Sequence, residues 1–221
     1  MSKTALDFVN ELIFELEAAT ASSVPSNAAA ATAVPSASTS AAVPMKDADK
    51  EELTVNSLDL RVGLIRKVWR HETAEKLYCE EIDVGEDVPR QIASGLVPHY
   101  DLAGMTDRRL IVVCNLKPRS LVGFKSSGMV LCAAKTVDGV EKVEFVDPPV
   151  DAAIGERIVG LGLGGEPLSQ KQCDKRKAFE VIAPNLTVNA DGVATWNGLA
   201  LVSAQGKQPC TAPTLREALI R

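Results

Sequence analysis

From Leu58 the chain alternates: Leu58, Leu60, Val62 and Leu64 are apolar, and Asp59, Arg61 and Gly63 between them are not. A period of two puts the apolar set on one face of an extended strand. The phase breaks at Leu64-Ile65, which predicts a bulge where the strand bends. Short apolar runs follow at 77–84, 89–96, 109–114 and 127–133 with turn signals between them, and 101–105 predicts one helical turn before the fourth run. Farther on, 174–182 predicts a short basic helix stopped by Pro184. Strands are predicted at 186–188, 193–196 and 199–202, the last two joined by Asn197-Gly198, a strong two-residue hairpin signal.

Before this region the pattern is different. Leu6, Val9, Leu12, Ile13 and Leu16 recur at helical spacing with Asp7, Glu11 and Glu15 on another side, so residues 1–17 predict an amphipathic helix. A lone helix of about fifteen residues is marginal in water, so its apolar face needs a partner, either another protein or the chain's own folded part. The long tract that follows favours another protein. Residues 18–43 are almost wholly Ala, Ser, Thr, Pro and Val, with no charge and no aromatic ring, and an acidic stretch leads on to residue 56. Such a tract buries too little side-chain area to offset its ordering entropy, so 18–56 is expected to be a disordered linker. Over 57–160, five short curved strands with a helical piece before the fourth predict an all-β, five-stranded Greek-key barrel of the OB type. A β-sandwich competes, but five strands are few for one.

Charge changes the picture once it is divided along the chain. The formal net charge is −5; residues 1–56 hold three Lys and eight Asp or Glu, and the rest balances 21 basic against 21 acidic side chains. The folded part is neutral in sum, yet polyanion binding follows local charge. Arg61, Arg66, Lys67 and Arg70 form one cluster, Arg108 and Arg109 a second, Lys117, Arg119 and Lys125 a third, and Lys171, Lys175, Arg176 and Lys177 a fourth. Together they suggest one positive face. The five Cys form no C-x-x-C pair, so buried thiols in a reducing compartment are expected, with no metal. The acidic first twenty residues match no secretory, mitochondrial or membrane-spanning pattern, which makes the cytosol the expected location.

Catalytic readings fail one by one. Gly160-x-Gly162-x-x-Gly165 matches the dinucleotide fingerprint in letters but runs into Glu166-Pro167 with no βαβ unit around it. A Ser-His-Asp arrangement would have to draw on two His, His71 and His99, both in loop-like contexts. No cofactor or catalytic residue is expected. The same residues suit a nucleic acid better. In an OB barrel one curved face and its rim loops meet the ligand, with cations on phosphates and hydroxyls or amides on sugars and base edges. Arg61, Arg66 and Lys67 would line the first strand, Asn115, Lys117 and Arg119 the end of the fourth, and Ser126, Ser127 and Met129 the start of the fifth. On chemistry alone, Lys117-Pro118-Arg119 is equally well an ordinary surface turn.

Five segments occur in a specific order: Leu58-Asp59-Leu60-Arg61-Val62-Gly63, His71 through Tyr78, Ser94-Gly95-Leu96-Val97, Asn115-Leu116-Lys117-Pro118-Arg119, and Gly123-x-x-Ser126-x-Gly128-Met129. From about residue 57 to the C-terminus the sequence resembles the tRNA-binding domain family, in the branch of endothelial monocyte-activating polypeptide II and the auxiliary proteins of aminoacyl-tRNA synthetase complexes. The resemblance implies an OB barrel that holds tRNA by shape and backbone. It also implies that 161–221 is an appended C-terminal α+β subdomain imitating the second subunit of the dimeric bacterial members, so the tRNA-binding portion is expected to be monomeric. Arg90, Ser94, Lys125, Lys175, Arg176 and Lys177 join the candidate contacts. Two departures stand out: His71-Glu72-Thr73-Ala74-Glu75 replaces the common His-Pro-Asp-Ala-Asp, and Val122 stands where a basic residue is frequent.

The functional expectation is a non-catalytic factor that captures tRNA and delivers it to a synthetase or scaffold protein held by the N-terminal helix. A linker of about thirty residues reaches roughly 30 Å, which keeps both sites in one small volume. The alternative is a chaperone-like or scaffold module whose barrel binds polypeptide. A secreted signalling role, known for fragments of animal relatives, finds no secretion signal in this sequence.

Overall fold

The computed structural model describes residues 52–221; the expected N-terminal helix and all but the last residues of the expected linker lie outside them. A short 3-10 turn at Val55–Ser57 leads into β1 (Leu60–Arg70), which pairs antiparallel with β2 (Tyr78–Asp83), and β2 with β3 (Arg90–Ser94). A single helical turn, α1 (Leu102–Met105), starts where the Asp101 carboxylate accepts from the Gly104 amide at 2.7 Å, an ordinary N-cap. Then β4 (Arg109–Val113) returns along β1. β2, β3, β4 and α1 match the predicted runs, each trimmed by a residue or more, whereas β1 runs past the predicted break to Arg70.

The last predicted run is split. A small hairpin, β5 (Arg119–Leu121) and β6 (Phe124–Ser126), precedes β7 (Met129–Val130) on β4 and β8 (Cys132–Val137), which pairs with β9 (Val140–Phe145). No continuous ladder joins β3 to β7. The gap is bridged by the Ser127 amide donating to the Gln91 carbonyl at 2.8 Å and the Ala93 amide donating to Ser126 Oγ at 3.1 Å. The architecture is mostly antiparallel β, an OB-type barrel with a C-terminal portion carrying short helices.

The bulge expected at the Leu64-Ile65 phase break is present one step later, where the register shifts between Ile65 and Lys67. Leu60 and Val62 pack in one buried cluster and Ile65 in another. The apolar phase changes because the strand is covered on both faces, first by one core and then by the other. In β4 the division is residue by residue: Leu110 and Val112 face the barrel interior with Tyr78, Ile82, Ile92 and Phe145, whereas Ile111 and Val113 join the second core. Gly63 is needed where β1 passes over the barrel interior, since a Cβ there would lie 2.9 Å from Ile82 and 3.0 Å from Val112.

The second core is closed by the C-terminal residues. Strand β10 (Arg157–Gly160) pairs with β1 and with β13 (Leu199–Ser203). From β13 the ladder continues through β12 (Ala194–Trp196), β11 (Leu186–Val188) and β14 (Ala218–Ile220) to β8. The predicted hairpin turn is present, with Asn197 at φ 51° and Gly198 at φ 83°, both positive as a type I′ turn requires. The predicted single helix at 174–182 is two: α2 (Gln170–Arg176), capped by Ser169, and α3 (Ala178–Ile182). Lys177 separates them in the left-handed region at φ 50°, ending one helix and turning the chain into the next.

Candidate nucleic-acid interface

The hairpin β5–β6 stands opposite α2 and α3, and a groove of about 350 Å³ runs between them. The turn that makes the hairpin uses Val122 at φ 50° and Gly123 at φ 88°. Cross-strand partners share a face, so Arg119, Leu121, Phe124 and Ser126 lie on one side of the hairpin and Ser120 and Lys125 on the other. Arg119 and Leu121 line the groove with Leu116, Lys117 and Met129 on the barrel side, and Cys173, Asp174, Lys177, Phe179 and Glu180 line it from the helices. Lys117 sits 3.5 Å from Asp174, with both side chains largely exposed, a contact worth little in water. The Arg119 side chain makes no hydrogen bond or ion pair among the described residues and is free to meet an anion.

An aromatic extension continues from the hairpin. Phe124 meets Trp69 edge-on, with centroids 6.0 Å apart, and Lys67 Nζ lies 4.9 Å over the Trp69 ring. Exposed cations and half-buried rings thus alternate from the end of β1 to the groove, a composition suited to phosphates and unpaired bases. The rings of Trp69, Phe124 and Phe179 were not among the residues picked from the sequence. Lys67 and Trp69 sit two apart on one strand face, which is the signal that could have found Trp69.

Lys117, Arg119, Ser126, Met129 and Lys177 thus gather at one groove. Several other candidates are occupied inside the fold. Asn115 is buried; its Oδ1 accepts from the Asp59 amide at 3.0 Å, and its Nδ2 donates to the carbonyls of Ser57 at 3.0 Å and Leu168 at 2.9 Å. Arg90 is clamped by Glu86 at 2.6 Å and 2.8 Å and donates to the Cys114 and Ser127 carbonyls. That bonding holds the Glu86 carboxyl below its ordinary range. Arg61 bonds Asp59 at 2.8 Å, and Ser94 donates to the buried Glu80. Ser126 Oγ both bridges β3 and donates to the Gly128 carbonyl at 3.1 Å, although the residue borders the groove.

The remaining cations lie elsewhere on the surface. Arg66 pairs with Asp83 at 2.8 Å, holding that carboxyl below its ordinary range, and Lys67 lies 3.9 Å from Glu81. Lys125 is exposed on the far face of the hairpin. Lys175 and Arg176 end α2 and take part in interactions of their own. His71 serves a turn, its Nδ1 accepting from the Thr73 and Ala74 amides at 3.2 Å. Among the described residues no three His, Cys, Asp or Glu are placed to hold a metal ion, and no helix is long and apolar enough to cross a membrane.

The curved antiparallel strands with a groove at their rim define a fold of the OB type. Residues 60–157 match the family described as "Putative tRNA binding domain". The C-terminal domain of Plasmodium vivax p43 superposes with a TM-score of 0.68 at 34% identity, covering 77% of this chain and 100% of that domain. Two curated relatives are a "Probable methionine–tRNA ligase" of Oryza sativa subsp. japonica and the "Aminoacyl tRNA synthase complex-interacting multifunctional protein 1" of Mus musculus. The first is 43% identical over 155 residues, covering 70% of this chain and 19% of the relative. The second is 40% identical over 173 residues, covering 78% of this chain and 54% of the relative. The chain therefore belongs to the tRNA-binding domain family, and it spans about half or less of the length of these curated relatives.

Proposed function

We propose that the chain is a non-catalytic tRNA-binding factor of the cytoplasm that captures tRNA and presents it to an aminoacyl-tRNA synthetase. The observation that carries this reading is the groove at the β5–β6 hairpin. There Lys117, Arg119 and Lys177 converge over an apolar floor, inside a chain that belongs to a tRNA-binding family. The cations hold phosphates, the curved barrel fits the shape of the folded RNA, and the C-terminal portion completes one wall, so a single copy forms the site. The N-terminal residues recruit the synthetase or a scaffold protein, as the relative's name as a synthase complex-interacting protein suggests. Domain limits at 57–160 and 161–221 are functional divisions in this reading; β10 and the shared second core tie the two together physically.

The test is competition. The full chain is titrated against labelled tRNA at low salt, with unlabelled tRNA or an unfolded polypeptide as competitor. Micromolar or tighter binding displaced by tRNA alone supports the reading. Absence of tRNA binding with capture of the polypeptide sinks it in favour of a chaperone-like module.

A further inference from the structure

We propose that the groove between the β5–β6 hairpin and α3 is a base-reading slot that takes one unpaired guanine from the bound RNA. This rests on the tRNA-binding reading and adds a sequence preference to it. A volume of about 350 Å³ lies at the small end of the roughly 300–1,000 Å³ typical of small-molecule sites, room for a base but not for a duplex. Its floor is apolar, with Leu121 from the hairpin, Met129 from β7 and Phe179 from α3. A phosphate site has no use for such a floor, whereas bases stack on rings and apolar side chains.

The rim carries both signs of charge. Arg119 and Lys177 stand where the phosphates flanking a bound base would pass. The Glu180 side chain, on the helical wall, makes no hydrogen bond or ion pair among the described residues, and a bare carboxylate repels a phosphate. The same carboxylate is a good acceptor for N–H groups on a base edge. Guanine presents N1–H and an N2 amino group side by side, matching the two oxygens of one carboxylate. Adenine and cytosine present a single amino group, and uracil one N–H flanked by two carbonyls that the carboxylate repels. In a duplex this guanine edge is already paired, so the base must be unpaired.

The test uses the full chain, tRNA, and the pentanucleotides UUGUU, UUAUU and UUUUU as competitors at low salt. UUGUU is expected to compete about 5- to 10-fold better than UUUUU, the lower part of the range for a bidentate contact because the rim is exposed. Glu180→Gln should bring the three oligonucleotides within twofold of one another. Phe179→Leu, checked for folding by its thermal melt, should weaken all three. If wild type binds tRNA but treats the oligonucleotides alike, or if the preference survives Glu180→Gln, the base slot is wrong and the phosphate groove stands alone. Failure to bind tRNA at all removes both the tRNA-binding reading and the slot.

Discussion

Glu80 lies in the interior of the barrel, on the same face of β2 as Tyr78 and Ile82, and is fully buried. One carboxylate oxygen accepts from Ser94, and the other has no hydrogen-bond partner. Burial pushes this carboxyl from about 4.5 up to about 7, against a smaller opposing effect of the Ser94 hydrogen bond. The folded state therefore binds more protons than the unfolded state between these two values. Stability is fully present below about 4.5 and is lost as pH rises through about 7. Two and a half units correspond to about 3 kcal/mol, of which about 2–3 kcal/mol falls between pH 5 and 8. Glu80→Gln removes the titration while keeping a group that Ser94 can bond. Urea unfolding of both proteins at pH 5, 6, 7 and 8 should show wild type losing about 2–3 kcal/mol relative to the variant across the series. Parallel curves would refute the reasoning, because they would mean Glu80 ionises alike in both states.

Two substitutions probe other parts of the frame. Asn115→Ala removes three side-chain hydrogen bonds, one fully buried and two partly, and should cost about 2–4 kcal/mol in urea unfolding, while tRNA affinity measured well below the melt stays near wild type. Gly155 has φ 83°, and a Cβ there would lie 2.8 Å from the Gly85 Cα and 2.9 Å from the Val84 carbonyl, so Gly155→Ala should destabilise by about 2 kcal/mol or more.

Strands β1 to β4 were legible because each carries enough alternation or apolar density to declare itself, and Asn197-Gly198 because a type I′ turn asks for those two residues. Strands β10 and β14 were not legible. Each is three or four residues long and exists through distant partners: Leu60 pairs with Ile158, and Leu219 with Ala134. The hairpin β5–β6 was hidden by Val122, a β-branched residue in the left-handed region, which no turn preference suggests. The cations of the groove were visible as clusters in the sequence. The buried roles of Asn115, Arg90 and Ser126 were not, because a polar residue at a strand end suits an internal carbonyl as well as an RNA phosphate. The apolar floor was invisible for a different reason: Leu121 and Phe179 are brought together only by the fold of the C-terminal residues over the barrel.

The most direct measurement is the salt dependence of tRNA affinity for the full chain and for Lys117→Ala/Arg119→Ala. Wild-type affinity should fall log-linearly with salt, and the double change should weaken binding at low salt and reduce the slope by about 2, one unit for each lost phosphate contact. An unchanged slope with unchanged affinity would place the tRNA contacts away from the groove and contradict its role as the phosphate-binding site.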